Sequence, residues 1–191
     1  MELQPALEAI DRVHGAGPLP RLAVMPDPTL GADASYEVIR ATGEPYQFAV
    51  NPDGQQLALS LVHEIGHFLV HAGLGFTRSL VDPEDLLFEA WRNAIKRSER
   101  FATLTTIANL TSNSDLSARL RYELRYAELW ARSYAQYIAL RSGDEKLRMQ
   151  VAQRRLGTVG GIPIPIQWGE SDFAAIANTI DDLLRGLGWT E

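Results

Sequence analysis

The chain has 191 residues, 46% of them hydrophobic and 22% charged, which is the length and apolar content of one soluble domain with a sizeable core. A formal charge of -6 argues against a phosphate-binding surface, so no nucleic-acid partner is expected, apart from a local basic patch around Arg119, Arg121 and Arg125. There is no cysteine, so any metal site must use imidazole and carboxylate, and disulfides are excluded.

The first residues, Met1 to Glu8, are acidic where a signal peptide would be basic, and no apolar run approaches the roughly 18 residues of a membrane span. A cytoplasmic protein with no membrane partner is expected. Residues 1 to about 14 read as a short amphipathic helix, with Leu3, Leu7 and Ile10 at helical spacing, closed by the punctuation from Gly15 to Pro20. Leu22 to Met25, Tyr36 to Arg40 and Tyr46 to Val50 are short β-branched and aromatic runs between Pro and Gly clusters, which predicts a small sheet. Asn51-Pro52-Asp53-Gly54 is a turn that stops the last strand.

From about Gln55 to Ala72 an apolar-rich helix is predicted, with Gly73 and Gly75 as its C-terminal stop. Pro83-Glu84-Asp85 resembles a helix start, and that helix runs to about Ser98 or beyond, before the polar stretch Thr111 to Ser114. One long helix is expected from about Asp115 to Arg141 and a short one near Glu145 to Arg155. The Gly- and Pro-rich segment from Gly157 to Gly169 must be extended, and either covers a cleft or only connects. Ser171 is placed to cap a last helix with Phe173, Ile176, Ile180, Leu183, Leu184 and Leu187 as its apolar stripe.

Residues 63 to 67 read His-Glu-Ile-Gly-His. Two imidazoles four residues apart on a helix project from one face and can share one Zn2+, and Glu64 between them is placed to take a proton from a metal-activated water. Leu57, Leu61, Phe68 and Val70 make the surrounding helix strongly apolar, so the polar side chains need something to satisfy them, and a metal would. The bland alternative is a core helix whose histidines bond to carbonyls while Glu64 pairs with an arginine.

A catalytic zinc usually has three protein ligands. Of the four histidines, His14 and His71 remain; His71 lies about 12 Å along the helix axis from His63, awkward for one ion. The longer zincin signature would need Gly at position 70 and His at position 73, where this chain has Val70 and Gly73. A carboxylate is therefore expected. Glu128 is the first choice, because it interrupts an apolar face formed by Leu120, Leu124, Ala131, Ala135 and Ile138, where an ionised group needs a partner. Glu89, 22 residues after His67 and followed at i+4 by Asn93, is the competitor. A structural pair between Glu128 and an arginine is the alternative without metal.

His63 to His67 followed by Ala127-Glu128-Leu129-Trp130-Ala131-Arg132-Ser133-Tyr134-Ala135 resembles the gluzincin-like peptidase domains of phage and prophage proteins, and more distantly the catalytic domain of anthrax lethal factor. The resemblance covers roughly residues 55 to 140. It implies zinc on His63, His67 and Glu128, with Glu64 as base. Lethal factor carries a tyrosine seven residues before the ligand that supports the oxyanion; that position here is Arg121, and Tyr122 follows it.

Among the other candidates, Tyr122, Tyr126, Tyr134 and Tyr137 crowd the third-ligand helix, either as packing or with one as an oxyanion donor. Arg132 either orients the surroundings of Glu128, binds a substrate carboxylate or is simply exposed. The strands before the metal helix place a sheet edge where an extended peptide could pair. The expectation is one α+β zincin-like domain, sheet and metal helix over about 20–72 and a mainly helical part over about 83–191. It hydrolyses peptide bonds in a protein or peptide substrate; the alternatives are a non-catalytic phage or prophage assembly protein that keeps the metal site, and a toxin-type protease with one target.

Overall fold

The computed structural model describes residues 3–15, 19–73, 82, 86–159 and 161–190. It is α+β and mainly helical. After α1 (Gln4–Asp11) come three strands, β1 (Ala23–Pro26), β2 (Ala34–Val38) and β3 (Pro45–Val50), in the spatial order β1-β3-β2. β3 is central, parallel to β1 and antiparallel to β2, which follows from its composition: Phe48, Ala49 and Val50 are all buried. Asn51 closes it as expected, its side-chain oxygen accepting from the Asp53 amide at 3.0 Å.

The predicted metal helix is α2 (Leu57–Phe68), prolonged by a π-helical turn over Leu69–Gly73. Gly75 and Pro83-Glu84-Asp85, read as a helix stop and a helix start, lie outside the described residues. From Leu86 a short 3-10 turn leads into α3 (Glu89–Arg97) and then α4 (Glu99–Leu110). Ser98 separates these two: its backbone is extended and its hydroxyl accepts from the Phe101 amide, an N-cap inside what the apolar pattern reads as one element. Asp172 adds two further capping bonds, from the Glu99 amide at 2.8 Å and the Arg100 amide at 3.1 Å.

The single long helix expected from Asp115 to Arg141 is two helices, α5 (Ser114–Glu123) and α6 (Tyr126–Ser142). Arg125 between them is extended, at φ -64° and ψ 134°. α7 (Glu145–Gln153) follows. The Gly157 to Gly169 segment is more than a connection, because β4 (Leu156–Val159) and β5 (Ile162–Pro165) pair as an antiparallel hairpin. The last helix, α8 (Glu170–Gly186), buries Phe173, Ile176, Ile180, Leu183 and Leu184 as predicted; its N-cap is Gly169, and Ser171 lies inside it.

The main core joins α1, α2, α3, α6, α7 and α8 around Trp91, Trp130, Tyr134 and Trp168. A smaller one, with Phe48, Val50, Leu61 and Phe68, holds the sheet against α2. Helix α2 therefore lies between sheet and helices, covered on both sides. None of the described helices is long and apolar enough to cross a membrane.

Candidate metal centre

α2 is fixed at its start by partners from distant parts of the chain. The Leu59 amide donates to Gln150 Oε1 at 2.9 Å, and the Gln56 amide to Asp33 Oδ2 at 3.1 Å, so side chains from elsewhere satisfy free N–H groups of the first turn. Its principal neighbour is α6. The approach is close because Gly66 faces α6 without a side chain: a Cβ there would lie 2.9 Å from Ala131 Cα and 3.2 Å from Tyr134 Cδ1. Trp130 Nε1 donates to the Gly66 carbonyl at 3.0 Å and ties the helices at that point.

This contact brings His63 and His67, one turn apart on α2, against Glu128 in the first turn of α6. The Nε2 atoms of the two histidines are 3.2 Å apart; Glu128 Oε2 lies 3.5 Å from His63 Nε2 and Oε1 lies 3.3 Å from His67 Nε2. Ligand atoms bound at about 2.0–2.1 Å to one tetrahedral ion stand about 3.4 Å from each other. The three residues therefore match the spacing of a shared cation, with all ligand atoms within 4.8 Å of one another. Oε2 of Glu128 is buried and makes no hydrogen bond, a cost that a cation would remove. The group could hold a metal ion, and among the described residues no other set of His, Asp and Glu is so arranged. Glu89 is exposed at the start of α3 and is not part of it.

Electrostatics favour the ligand-competent forms. Burial, the largest influence, draws the His63 imidazole down to about 4, against the opposing pull of the nearby Glu128 carboxylate, so the ring is neutral at physiological pH. Burial pushes Glu128 up, but its contacts with His63, His67 and Tyr122 together outweigh this and hold it well below the usual carboxylate range. Its position in the first turn of α6 also sets it at the positive end of the helix dipole.

Glu64 points to the sheet. Its Oε2 accepts from the backbone amide of Tyr36 in β2 at 2.9 Å, and burial pushes its carboxyl up. Tyr36 is a residue that sequence reasoning reads only as strand. Its hydroxyl pairs with His71 Nδ1 at 2.7 Å, so His71 braces the strand that braces Glu64. Of the four tyrosines singled out on α5 and α6, only Tyr122 reaches the group, donating to Glu128 Oε1 at 2.6 Å. Tyr134 bonds to His14 at 2.8 Å, Tyr137 donates to Asp181 at 2.8 Å, and Tyr126 packs by Trp91.

Arg132 is buried rather than exposed. Its guanidinium bonds Glu123 and comes within 3.7 Å of Glu128. Glu123, fully buried, also receives Arg100 and Arg119. The sequence gives one hint of this cluster, Arg119 at i-4 from Glu123; the other two guanidiniums arrive from other helices. No protein-family model, curated protein or solved structure matches the chain, so the reading of the centre rests on its own chemistry.

Proposed function

We propose that this chain is a zinc-dependent metallopeptidase with a zincin-like fold, His63, His67 and Glu128 holding the metal. The observation that carries this reading is the His-His-Glu group at ligand spacing, with a buried carboxylate oxygen lacking a hydrogen bond. Two imidazoles and a carboxylate are a common protein set for catalytic zinc, and the absence of cysteine leaves no thiolate alternative. When bound, the metal supplies Lewis acidity, which acidifies water and polarises a carbonyl.

The chain's own residues supply the rest. Glu64, adjacent to His63 in sequence and held by the Tyr36 amide, accepts the proton of the attacking water and returns it to the leaving amine. Its burial raises proton affinity toward the range useful for that exchange. Tyr122 fixes Glu128 through its one hydroxyl proton, and donation to a developing oxyanion would require that proton to leave Glu128. Edge strand β2 runs beside Glu64 and offers an extended peptide backbone a pairing partner.

The test combines metal analysis of the purified chain with hydrolysis of a degenerate peptide mixture. Stoichiometric zinc and cleavage are expected in the wild type, and in Glu64→Gln retained zinc with cleavage lowered about 100- to 10,000-fold. Zinc with no cleavage by the wild type would instead favour the non-catalytic reading.

A further inference from the structure

Next to the metal group opens a cavity of about 660 Å3 whose polar lining is dominated by cations: Arg119 of α5, Arg132 of α6 and Arg154 at the end of α7, with Gln153 and Thr158. One contact and one connection along the chain link it to the centre. Arg132, itself buried, places Nη2 3.7 Å from Glu128 Oε2. Arg154 donates from Nη2 to Asp33 Oδ2 at 3.1 Å, and Asp33 immediately precedes β2, the strand whose Tyr36 amide holds Glu64. Asp33 and Tyr36 are three residues apart, about 10 Å along an extended strand. A peptide laid along this edge beside Glu64 would reach the cavity two or three residues from the bond cleaved.

The cavity lining carries three guanidiniums and no carboxylate. Arg100, Arg119 and Arg132 converge on a single buried carboxylate, Glu123. Arg154 has Asp33, and Glu128 is required by the metal group. Burial draws the Arg154 guanidinium down; Asp33 opposes this, and the neighbouring Arg132 takes back part of what Asp33 supplies. Arg119 and Arg125 also lie over the Tyr122 ring, at 5.4 and 5.5 Å, so cationic side chains extend along the rim to the ligand carboxylate. In a chain of net charge -6 this local excess runs against the whole.

We propose that the cavity is a specificity subsite for an acidic side chain of the peptide substrate, its carboxylate received by Arg154 with Arg119 and Arg132. The assignment rests on the peptidase reading for its position relative to the cleaved bond, but its ligand chemistry can be measured without turnover. Guanidinium forks are suited to carboxylate, and the solvent-open cavity leaves room for a side chain between them.

The experiment uses the zinc-loaded 191-residue chain. Binding of a fluorescein-labelled alanine octapeptide with Glu at positions 3 and 6 is compared with its Gln counterpart in Glu64→Gln, where turnover does not interfere. At least tenfold tighter binding of the Glu peptide is expected. That preference should fall below threefold in Arg154→Gln and recover in part in Arg154→Lys, which keeps a charge to pair with Asp33. Equal binding of the two peptides, or a preference unchanged in Arg154→Gln, overturns the subsite. Inorganic phosphate at 1 mM is the competitor that separates a peptide subsite from a free-anion site: complete displacement of the Glu peptide overturns the assignment.

Cleavage-site profiling of the wild type is the second arm, with Asp and Glu expected to be enriched at one position two or three residues from the cut. Cleavage without acid enrichment overturns the subsite and leaves the peptidase reading standing. Acid-selective binding with no cleavage supports the ligand class of the cavity and overturns the peptidase reading.

Discussion

The hydroxyl of Tyr122 donates to Glu128 at 2.6 Å across a break between two helices. In one continuous helix, residues six apart are separated by about 240° around the axis and do not face each other. The extended backbone at Arg125 removes that constraint and folds the end of α5 over the first turn of α6. Glu128 is thus fixed by a partner that a longer helix would have carried away. Tyr122→Phe should keep the helical circular-dichroism spectrum while metal affinity, measured by competition with a chromophoric chelator, falls about 10- to 100-fold. An affinity equal to that of the wild type would show that the hydroxyl does not position the carboxylate.

Gly66 sits between the two histidines in sequence and controls the distance from α2 to α6. Alanine there gains up to about 1 kcal/mol of intrinsic helix propensity. Its methyl group, however, would meet Ala131 Cα at 2.9 Å, a backbone atom that moves only with its helix. The second effect should dominate: Gly66→Ala is expected to lower unfolding free energy by about 1–3 kcal/mol in urea and to weaken metal binding as α6 is displaced. A variant as stable as the wild type, with full metal affinity, would mean that the contact is looser than these distances state.

The contrast between Gly66 and His63 illustrates what the sequence exposes. Two histidines four apart on an apolar stretch are a local pattern, and helix geometry alone puts them on one face. The meaning of Gly66 depends on which surface lies opposite, and Ala131 is 65 residues away in the chain. The α5–α6 break is hidden for a related reason. Leu120, Leu124, Ala131, Ala135 and Ile138 keep helical spacing through it, whereas the buried carboxylate of Glu123 gathers Arg100 from α4 and Arg132 from α6 beside the interruption. Gly and Pro marked residues 157–169 as extended, but pairing of Leu156–Val159 with Ile162–Pro165 turns on Gly161 at φ 81°, a feature of the folded hairpin.

The choice of Glu128 over Glu89 is open to direct measurement. Glu128→Ala removes the carboxylate from a group whose remaining ligands are two imidazoles, and bound zinc after gel filtration should drop from stoichiometric to background. Glu89→Ala alters an exposed residue at the start of α3 and should leave zinc content unchanged. The opposite pattern, zinc retained in Glu128→Ala and lost in Glu89→Ala, would transfer the third ligand to α3.

His14 gives the fold an acid sensitivity at a site apart from His63, His67 and Glu128. Its ring is buried between the Gly15 carbonyl, 2.7 Å from Nδ1, and the Tyr134 hydroxyl, 2.8 Å from Nε2. The neutral tautomer with its proton on Nδ1 satisfies both, donating to the carbonyl and accepting from the hydroxyl. Burial is the main influence that lowers the folded imidazole below its ordinary value of 6.5, outweighing the opposing hydrogen bond to Gly15. A base whose proton affinity is lower folded than unfolded lets the unfolded chain bind the extra proton. The stabilisation is therefore present above pH 6.5 and declines as pH falls from 6.5 to 5.5. Because His63 shifts in the same direction, urea unfolding of the metal-free chain should be compared with metal-free His14→Gln over that interval. The wild-type curve should fall more steeply than that of the variant, and parallel curves would place the acid sensitivity elsewhere.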